Sequence, residues 1–184
     1  MKKQDIFDTA LSLIVTQGLH ATPMAQIAKE ANVAAGTIYH YFNSKEEMIH
    51  ELYLLIQSEL KQQMNADELD MNNFETEFSS LCLRIFKYLI QNPMKFYFLQ
   101  QFEKSPHGNG VEEFNHHIEF PIEAAFFQLG MKHNLLKSMP VSLMSNLVYD
   151  TITVMVRLQL AEQIELNKEL IQIVIDGCWN MIRK

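Results

Sequence analysis

The segment Ala34–Lys45, AAGTIYHYFNSK, places several hydrogen-bonding side chains next to one another. It combines a threonine, a histidine and two tyrosines, and a glycine precedes them. Imidazole and hydroxyl groups can hydrogen-bond the edges of DNA bases, and phenol groups can reach phosphate oxygens beside a groove. A glycine lets the backbone come close to such a surface. The segment could therefore recognise double-stranded DNA, or its rings could fill an aromatic-rich core.

A helix over Ala35–Phe42 would sort these side chains onto different faces, at about 100° per residue. The face that we expect to be buried consists of Ala34, Ala35, Ile38 and Phe42. The opposite side carries Gly36 and His40, while Tyr39 and Tyr41 lie on the flanks, with Thr37 toward Tyr41. This division predicts that His40 reads a base edge and that the two phenols contact phosphates.

The elements that position this segment follow from helix start and stop signals. A first helix is predicted over Lys3–Gln17, ending at Gly18, which favours the left-handed conformation. A second begins with Thr22 as N-cap and Pro23 as its first residue, and Asn32 can end it. The short helix over Ala35–Phe42 follows directly, and two short helices with a tight turn predict a helix-turn-helix.

A fourth helix is expected from Ser44, its N-cap, to about Asn65, with Glu47 completing a capping box. This arrangement brings the Lys45 ammonium and the Thr22 hydroxyl to the surface that carries His40. A polar joint follows the fourth helix. The later predicted helices are Asn73–Gln91, Pro93–Lys104, Val111–Lys132, with a break at Pro121, Val141–Gln163 and Lys168–Arg183. The predicted fold class is therefore all-α.

Composition excludes several functional classes. The net charge of −7 argues against a general nucleic-acid coat protein but permits a small DNA-binding face. Cys82 and Cys178 are far apart in the sequence and are expected to be reduced and buried. No secretory signal and no apolar run long enough for a membrane span is visible, so we expect a cytoplasmic protein without a membrane partner. We predict no enzyme activity and no cofactor, because no nucleophile elbow, P-loop or dinucleotide turn is present.

The string Ala34–Met48, AAGTIYHYFNSKEEM, with TPMAQIAKEANV before it, resembles the DNA-binding segment of the TetR family of bacterial repressors. The resemblance covers about the first 50 residues. It implies an all-α homodimer with a three-helix DNA-binding domain, residues 1–46, and a helical regulatory and dimerisation domain, residues 47–184. The family's DNA-contacting positions fall on Thr22, Ala35, Gly36, Thr37, Tyr39, His40, Tyr41 and Lys45. Ala35 departs from the polar or basic residue common at its position in relatives, and Lys2 and Lys3 could supply a phosphate contact instead.

The last two predicted helices are apolar over most of their circumference, which indicates that each is buried on more than one side. A two-fold four-helix interface between copies of the chain would supply the second side, and a monomer with central helices is the alternative. We predict a homodimer through these two helices.

Aromatic residues are concentrated between these two regions of the chain. Most of the rings can be core residues, but apolar walls with few polar groups are also typical of a small-molecule pocket. We predict an apolar or amphipathic effector bound by Phe86, Tyr97, Phe120, Tyr149 and His117. Gln100 and Arg157 are further polar candidates.

Two other functions remain open at this point. Glu113 and His116 have the i, i+3 spacing of carboxylate-bridged di-metal bundles, whose centre needs two such units and two further glutamates facing one another. A DNA-binding regulator without a ligand is the other alternative. The interpretation that we favour is a homodimeric repressor, released from a palindromic operator by its effector.

Overall fold

The computed structural model describes residues 2–63, 70–105 and 124–184. Apart from one isolated β-bridge between Leu136 and Arg183, the regular structure of these residues is helical. The helices are α1 Lys2–Gln17, α2 Met24–Glu30, α3 Ala35–Tyr41, α4 Lys45–Gln63, α5 Phe74–Gln91, α6 Pro93–Glu103, α7 Ala124–Lys132, α8 Val141–Leu160 and α9 Lys168–Ile182. A 3₁₀ turn, Met71–Asn73, precedes α5. The all-α prediction is confirmed. Pro121 and the first part of the helix predicted over Val111–Lys132 lie outside the described residues.

The chain divides into two compact units, and each is described by itself. The first contains residues 2–58 and 92–105, and the second contains residues 59–63, 70–91 and 124–184. Sequence order alone therefore does not define the units, since α6 belongs to the first one. The functional boundary expected between residues 46 and 47 stays a prediction.

The first unit is built around α1, which packs on both α2 and α6. Ile6 and Ile14 of α1 are fully buried, as are Phe98 and Leu99 of α6. Full burial of one such side chain stabilises the fold by about 1.5–3 kcal/mol. The Gln101 side chain on α6 also donates a hydrogen bond to the Val15 carbonyl at 3.3 Å, which ties α6 to the last turns of α1. The platform for the segment Ala34–Lys45 therefore includes α6 as well as α1 and α2.

The second unit packs α5 against α8 and α9, and α7 against α8. Its core contains an aromatic cluster in which the rings of Phe74 and Phe126 stack with centroids 4.4 Å apart. Trp179 of α9 lies against Phe78, with ring centroids 5.5 Å apart. Cys82 and Cys178 are both free and buried, as predicted. No helix in the described part of the chain is long and apolar enough to cross a membrane.

Candidate nucleic-acid interface

The turn between α2 and α3 is short and tightly bonded. Asn32 has a φ of 53°, the left-handed conformation that was predicted to end α2. The next residue, Val33, donates its N–H to the Ala28 carbonyl at 2.9 Å. Asparagine tolerates this conformation better than most residues, so the turn needs no glycine. These bonds hold α3 beside α2 as in a helix-turn-helix.

The inner face of α3 is anchored by two side chains. Ile38 is fully buried, and Phe42, which follows the last helical residue, is 1% exposed. The Phe42 ring packs on Phe7 of α1, with centroids 5.3 Å apart. These two contacts confirm the predicted inner face at Ile38 and Phe42. Ala34 and Ala35 are exposed instead, so their predicted burial is wrong.

The outer face of α3 presents an open surface. The Tyr39 side chain is 57% exposed, although it is large and apolar. His40 and Gly36 are also exposed, and Tyr41 and Thr37 are half-buried. The His40 and Tyr41 rings meet edge to face, with centroids 5.5 Å apart. A Cβ added at Gly36 would meet no atom within 4 Å in the described structure, so packing inside the protomer does not account for the glycine.

Lys45 lies beside this surface at the start of α4. Its ammonium donates a hydrogen bond to the His20 carbonyl at 3.3 Å, in the connection between α1 and α2. Partial burial lowers the pKa of Lys45, and the neighbouring Glu46 opposes this shift. An ammonium has three donors, so donors remain for an external acceptor. The predicted Ser44 cap is confirmed, because its hydroxyl accepts the Glu47 N–H at 3.1 Å.

Thr22 has a different role from the one expected at the sequence level. Pro23, and not Thr22, is the N-cap of α2, and it makes no side-chain cap bond. Thr22 is fully buried, and its hydroxyl donates to the Gly18 carbonyl at 2.9 Å. A threonine hydroxyl can bond backward to a carbonyl as readily as it caps, and here the backward bond is made. The structure therefore provides no exposed Thr22 hydroxyl for a phosphate.

The amino-terminal lysines differ in availability. The Lys3 ammonium pairs with the Glu51 carboxylate at 2.5 Å and lies 5.2 Å from the centre of the Phe42 ring. It thus helps to hold α1 against the residues that follow α3. Lys2 is exposed. Of the two, Lys2 is the more accessible donor for a phosphate.

The residues predicted to bind an effector fall into three groups. Phe86 and Tyr149 are buried in the second unit, on the adjacent helices α5 and α8. Tyr97 is on α6 in the first unit and is 37% exposed. Phe120 and His117, together with the Glu113–His116 pair, lie outside the described residues. Within residues 2–63, 70–105 and 124–184, no group of three or more metal-ligating side chains could hold an ion.

The sequence predicted that α8 and α9 are apolar on more than one side, but it did not single out the row of exposed apolar side chains that these helices carry. Leu143 and Val154 on α8 are 49% and 41% exposed, and Ile173 and Met181 on α9 are 58% and 36% exposed. Leu143 and Val154 are eleven residues apart, and Ile173 and Met181 are eight residues apart, so each pair lies along one face of its helix. We call this row the apolar stripe. Its signal was present in the sequence but was merged there with that of the core face.

Comparison with known proteins identifies relatives for the whole chain. The family model for bacterial regulatory proteins of the tetR family matches residues 6–52, and that for the tetracyclin repressor-like C-terminal domain matches residues 73–183. An HTH-type transcriptional regulator of Haemophilus influenzae is 25% identical over 98% of this chain and 95% of its own length. A fatty acid metabolism regulator protein of Bacillus subtilis is 34% identical over 47% of this chain and 43% of its own length.

Solved structures give the same result for the fold. A tetR family transcription regulator from Shewanella sp. PV-4 superposes with a TM-score of 0.86 at 27% identity, covering 100% of this chain and 99% of its own. The transcriptional regulator FadR of Bacillus subtilis, crystallised with stearoyl-CoA, has a TM-score of 0.72 at 19% identity, covering 97% and 96%. The second likeness shows the fold alone.

Proposed function

Because the chain belongs to the TetR family and is a transcriptional regulator rather than an enzyme, we propose that it is a homodimeric repressor released from a palindromic operator by a small effector. The observation that carries the proposal is the outer face of α3, where Gly36, Tyr39 and His40 are all exposed and the glycine has open space around it. Exposed rings gathered on one face of a well-anchored helix are typical of a surface that binds another molecule. A DNA major groove admits a helix of this size.

Residues around α3 are assigned complementary roles. We propose that His40 contacts a base edge, that Tyr39 and Tyr41 contact phosphates on either side, and that Lys45 supplies a cation. Gly36 and Ala35 are proposed to face the groove through backbone and methyl contacts, and Thr37 lies beside Tyr41. Thr22 is proposed to act indirectly, by fixing the connection between α1 and α2 through the Gly18 carbonyl.

The apolar stripe supports dimerisation through α8 and α9. Its side chains would be covered by the same stripe of a second copy, as in an isologous interface. A dimer also suits the reading of a palindrome, because each α3 would then meet one half-site. Half-sites one DNA turn or a multiple of it apart are the expected geometry.

The effector is proposed to be apolar or amphipathic and to bind in the second unit, where Phe86 and Tyr149 lie. The stearoyl-CoA complex of a protein with the same fold supports this class of ligand. α4 is the proposed lever, because its first residue, Lys45, lies at the DNA-binding surface. At its other end, Glu59 accepts a hydrogen bond from the Tyr88 hydroxyl of α5 at 2.5 Å. Burial, together with this carboxylate, raises the pKa of the Tyr88 phenol, so the phenol keeps the proton that it donates in this bond.

Footprinting on the DNA upstream of the protein's own gene, with and without cell extract, tests the proposal. We expect a protected palindrome whose protection is lost when the extract supplies an effector. Protection that no extract reverses would instead support a regulator without a ligand. Absence of any protected site on this DNA or on that of neighbouring genes would contradict operator binding.

Two substitutions on α3 should have different effects on the protected operator. His40→Ala should remove discrimination at one base position of each half-site, where a wrong base costs roughly 1–3 kcal/mol for the unmodified protein. Tyr41→Phe should weaken binding to all sequences alike, because it removes a proposed phosphate contact. Binding titrations against single-base operator variants measure both effects. If His40→Ala leaves base preference intact, the assignment of base reading to His40 is wrong.

A further inference from the structure

A groove of about 570 Å³ lies on the first unit, between the last turns of α1 and the outer side of α6. Its wall on the α1 side contains Val15, Leu19 and His20, and its wall on the α6 side contains Tyr97, Gln100 and Lys104. The volume is within the range of roughly 300–1,000 Å³ that is typical of small-molecule sites. This groove is separate from the residues Phe86 and Tyr149, which belong to the other unit.

The apolar part of the groove is suited to a flat group. Leu19 is a mostly buried apolar residue of one wall, while Tyr97 on the other wall is 37% exposed. An exposed aromatic ring opposite an aliphatic surface favours stacking of a planar apolar ligand. Tyr97 was predicted to be a ligand-binding residue, and in the structure it lines this groove of the first unit.

The polar part of the groove favours negative charge. His20 and Lys104 are the basic side chains among its described lining residues, and both are exposed. No carboxylate is among the described residues that line it. The nearby Glu103 accepts a hydrogen bond from Gln100 at 3.2 Å. A groove whose described lining holds a lysine and a histidine and no carboxylate is notable in a chain with a net charge of −7, and it is complementary to an acid.

We propose that this groove binds a small planar aromatic carboxylate, with the ring against Tyr97 and Leu19 and the carboxylate near Lys104. The proposal goes beyond the function above, because it assigns a second ligand site and does not depend on DNA binding. The Gln101 bond to the Val15 carbonyl braces the two helices that form the groove, so the site exists before the ligand arrives. Preorganisation of this kind reduces the cost of binding.

The test is calorimetric titration of the full-length protein with 2-naphthoate and with 2-naphthamide, which has the same ring system and no charge. We expect 2-naphthoate to bind about tenfold more tightly, as a charge-assisted hydrogen bond allows. Lys104→Ala should remove this difference by weakening only the naphthoate. Tyr97→Ala should weaken both compounds. Lys87→Ala, which removes an exposed lysine of the second unit, is the matched control and should change neither affinity.

Three results would overturn the proposal. They are equal affinity for the two compounds, absence of binding by both, and naphthoate binding that neither Lys104→Ala nor Tyr97→Ala alters. The last result would place the naphthoate elsewhere on the chain. Both substituted side chains are exposed, and circular dichroism of each variant verifies that the fold is retained. None of these results bears on operator binding, so failure here is distinguishable from failure of the proposed repressor function.

Discussion

Replacing Ile173 by glutamate should convert the proposed dimer to monomers and lower the affinity for the operator by at least about 100-fold. Ile173 is the most exposed of the large apolar side chains in the described structure, at 58%. An isologous interface contains every residue twice, so one substitution introduces two carboxylates. The cost of desolvating each is on the order of several kcal/mol when no partner is present. At micromolar protein concentration, a loss of this size should shift the equilibrium of the 184-residue chain from dimer to monomer.

Native mass spectrometry gives the oligomeric state, and a binding titration on the footprinted operator gives the affinity. Gln172→Glu is the matched control, since it adds the same charge one residue away on the exposed side of α9. The control removes a hydrogen bond from Gln172 to Asp176, made at 2.8 Å, and so already includes a small cost in helix stability. It should remain a dimer. A dimeric Ile173→Glu protein would contradict dimerisation through the apolar stripe.

The anchoring of α3 could be predicted from the sequence, because helical periodicity reliably indicates which side chains of a helix face the core. Ile38 and Phe42 were placed on the inner face, and both are buried. Periodicity does not give the extent of the surface that covers a helix, however. Ala34 is the N-cap residue with extended backbone and Ala35 is the first residue of α3, and both are exposed. The predicted burial of these two alanines was wrong because it assumed that every residue on the inner side of the helical wheel is covered by another helix.

Thr22 shows a second limit of prediction from sequence, which concerns the choice between two hydrogen bonds that the same hydroxyl could make. Its side chain could cap α2 or bond back to the chain before it, and both options satisfy local propensities. Gly18 ends α1 in the left-handed conformation, with a φ of 92°, and the Gly18 carbonyl accepts the bond from the Thr22 hydroxyl. Propensity rules describe each helix end separately, so they could not select between the two bonds.

The assignment of α6 to the first unit shows a third limit. The sequence pattern predicted this helix almost to the residue, as Pro93–Lys104 against the observed Pro93–Glu103. Nothing in the pattern indicated that its apolar face would pack on α1, because that contact joins residues more than 80 positions apart, as in the bond from Gln101 to Val15. Tyr97 was therefore expected in the effector pocket, whereas it lies in the first unit and lines the groove beside α1.

Replacing Gly36 by alanine should raise the stability of the protein and weaken its binding to DNA. The added Cβ meets no described atom within 4 Å, so the substitution should raise the free energy of unfolding by roughly 0.5–1 kcal/mol, as alanine restricts the unfolded chain. If the backbone at Gly36 approaches the groove, the same methyl group should weaken each half-site contact by about tenfold. The proposed dimer would make the contact twice, so we expect an overall loss of about 100-fold. Urea unfolding and operator titration measure the two effects on the same sample.

Ser12→Ala is the control that makes the Gly36 result interpretable. Ser12 is an exposed residue of α1 in the same unit, and alanine there should also raise stability by a few tenths of a kcal/mol. It adds nothing to the outer face of α3 and should leave operator affinity unchanged. A Gly36→Ala protein that is more stable and still binds with full affinity would show that the backbone stays clear of the groove. A loss of affinity confined to Gly36→Ala cannot come from helix stabilisation, since Ser12→Ala shares that effect. It would therefore locate the closest approach to DNA at the first turn of α3, where Ala35 offers no polar side chain and the glycine leaves the backbone accessible.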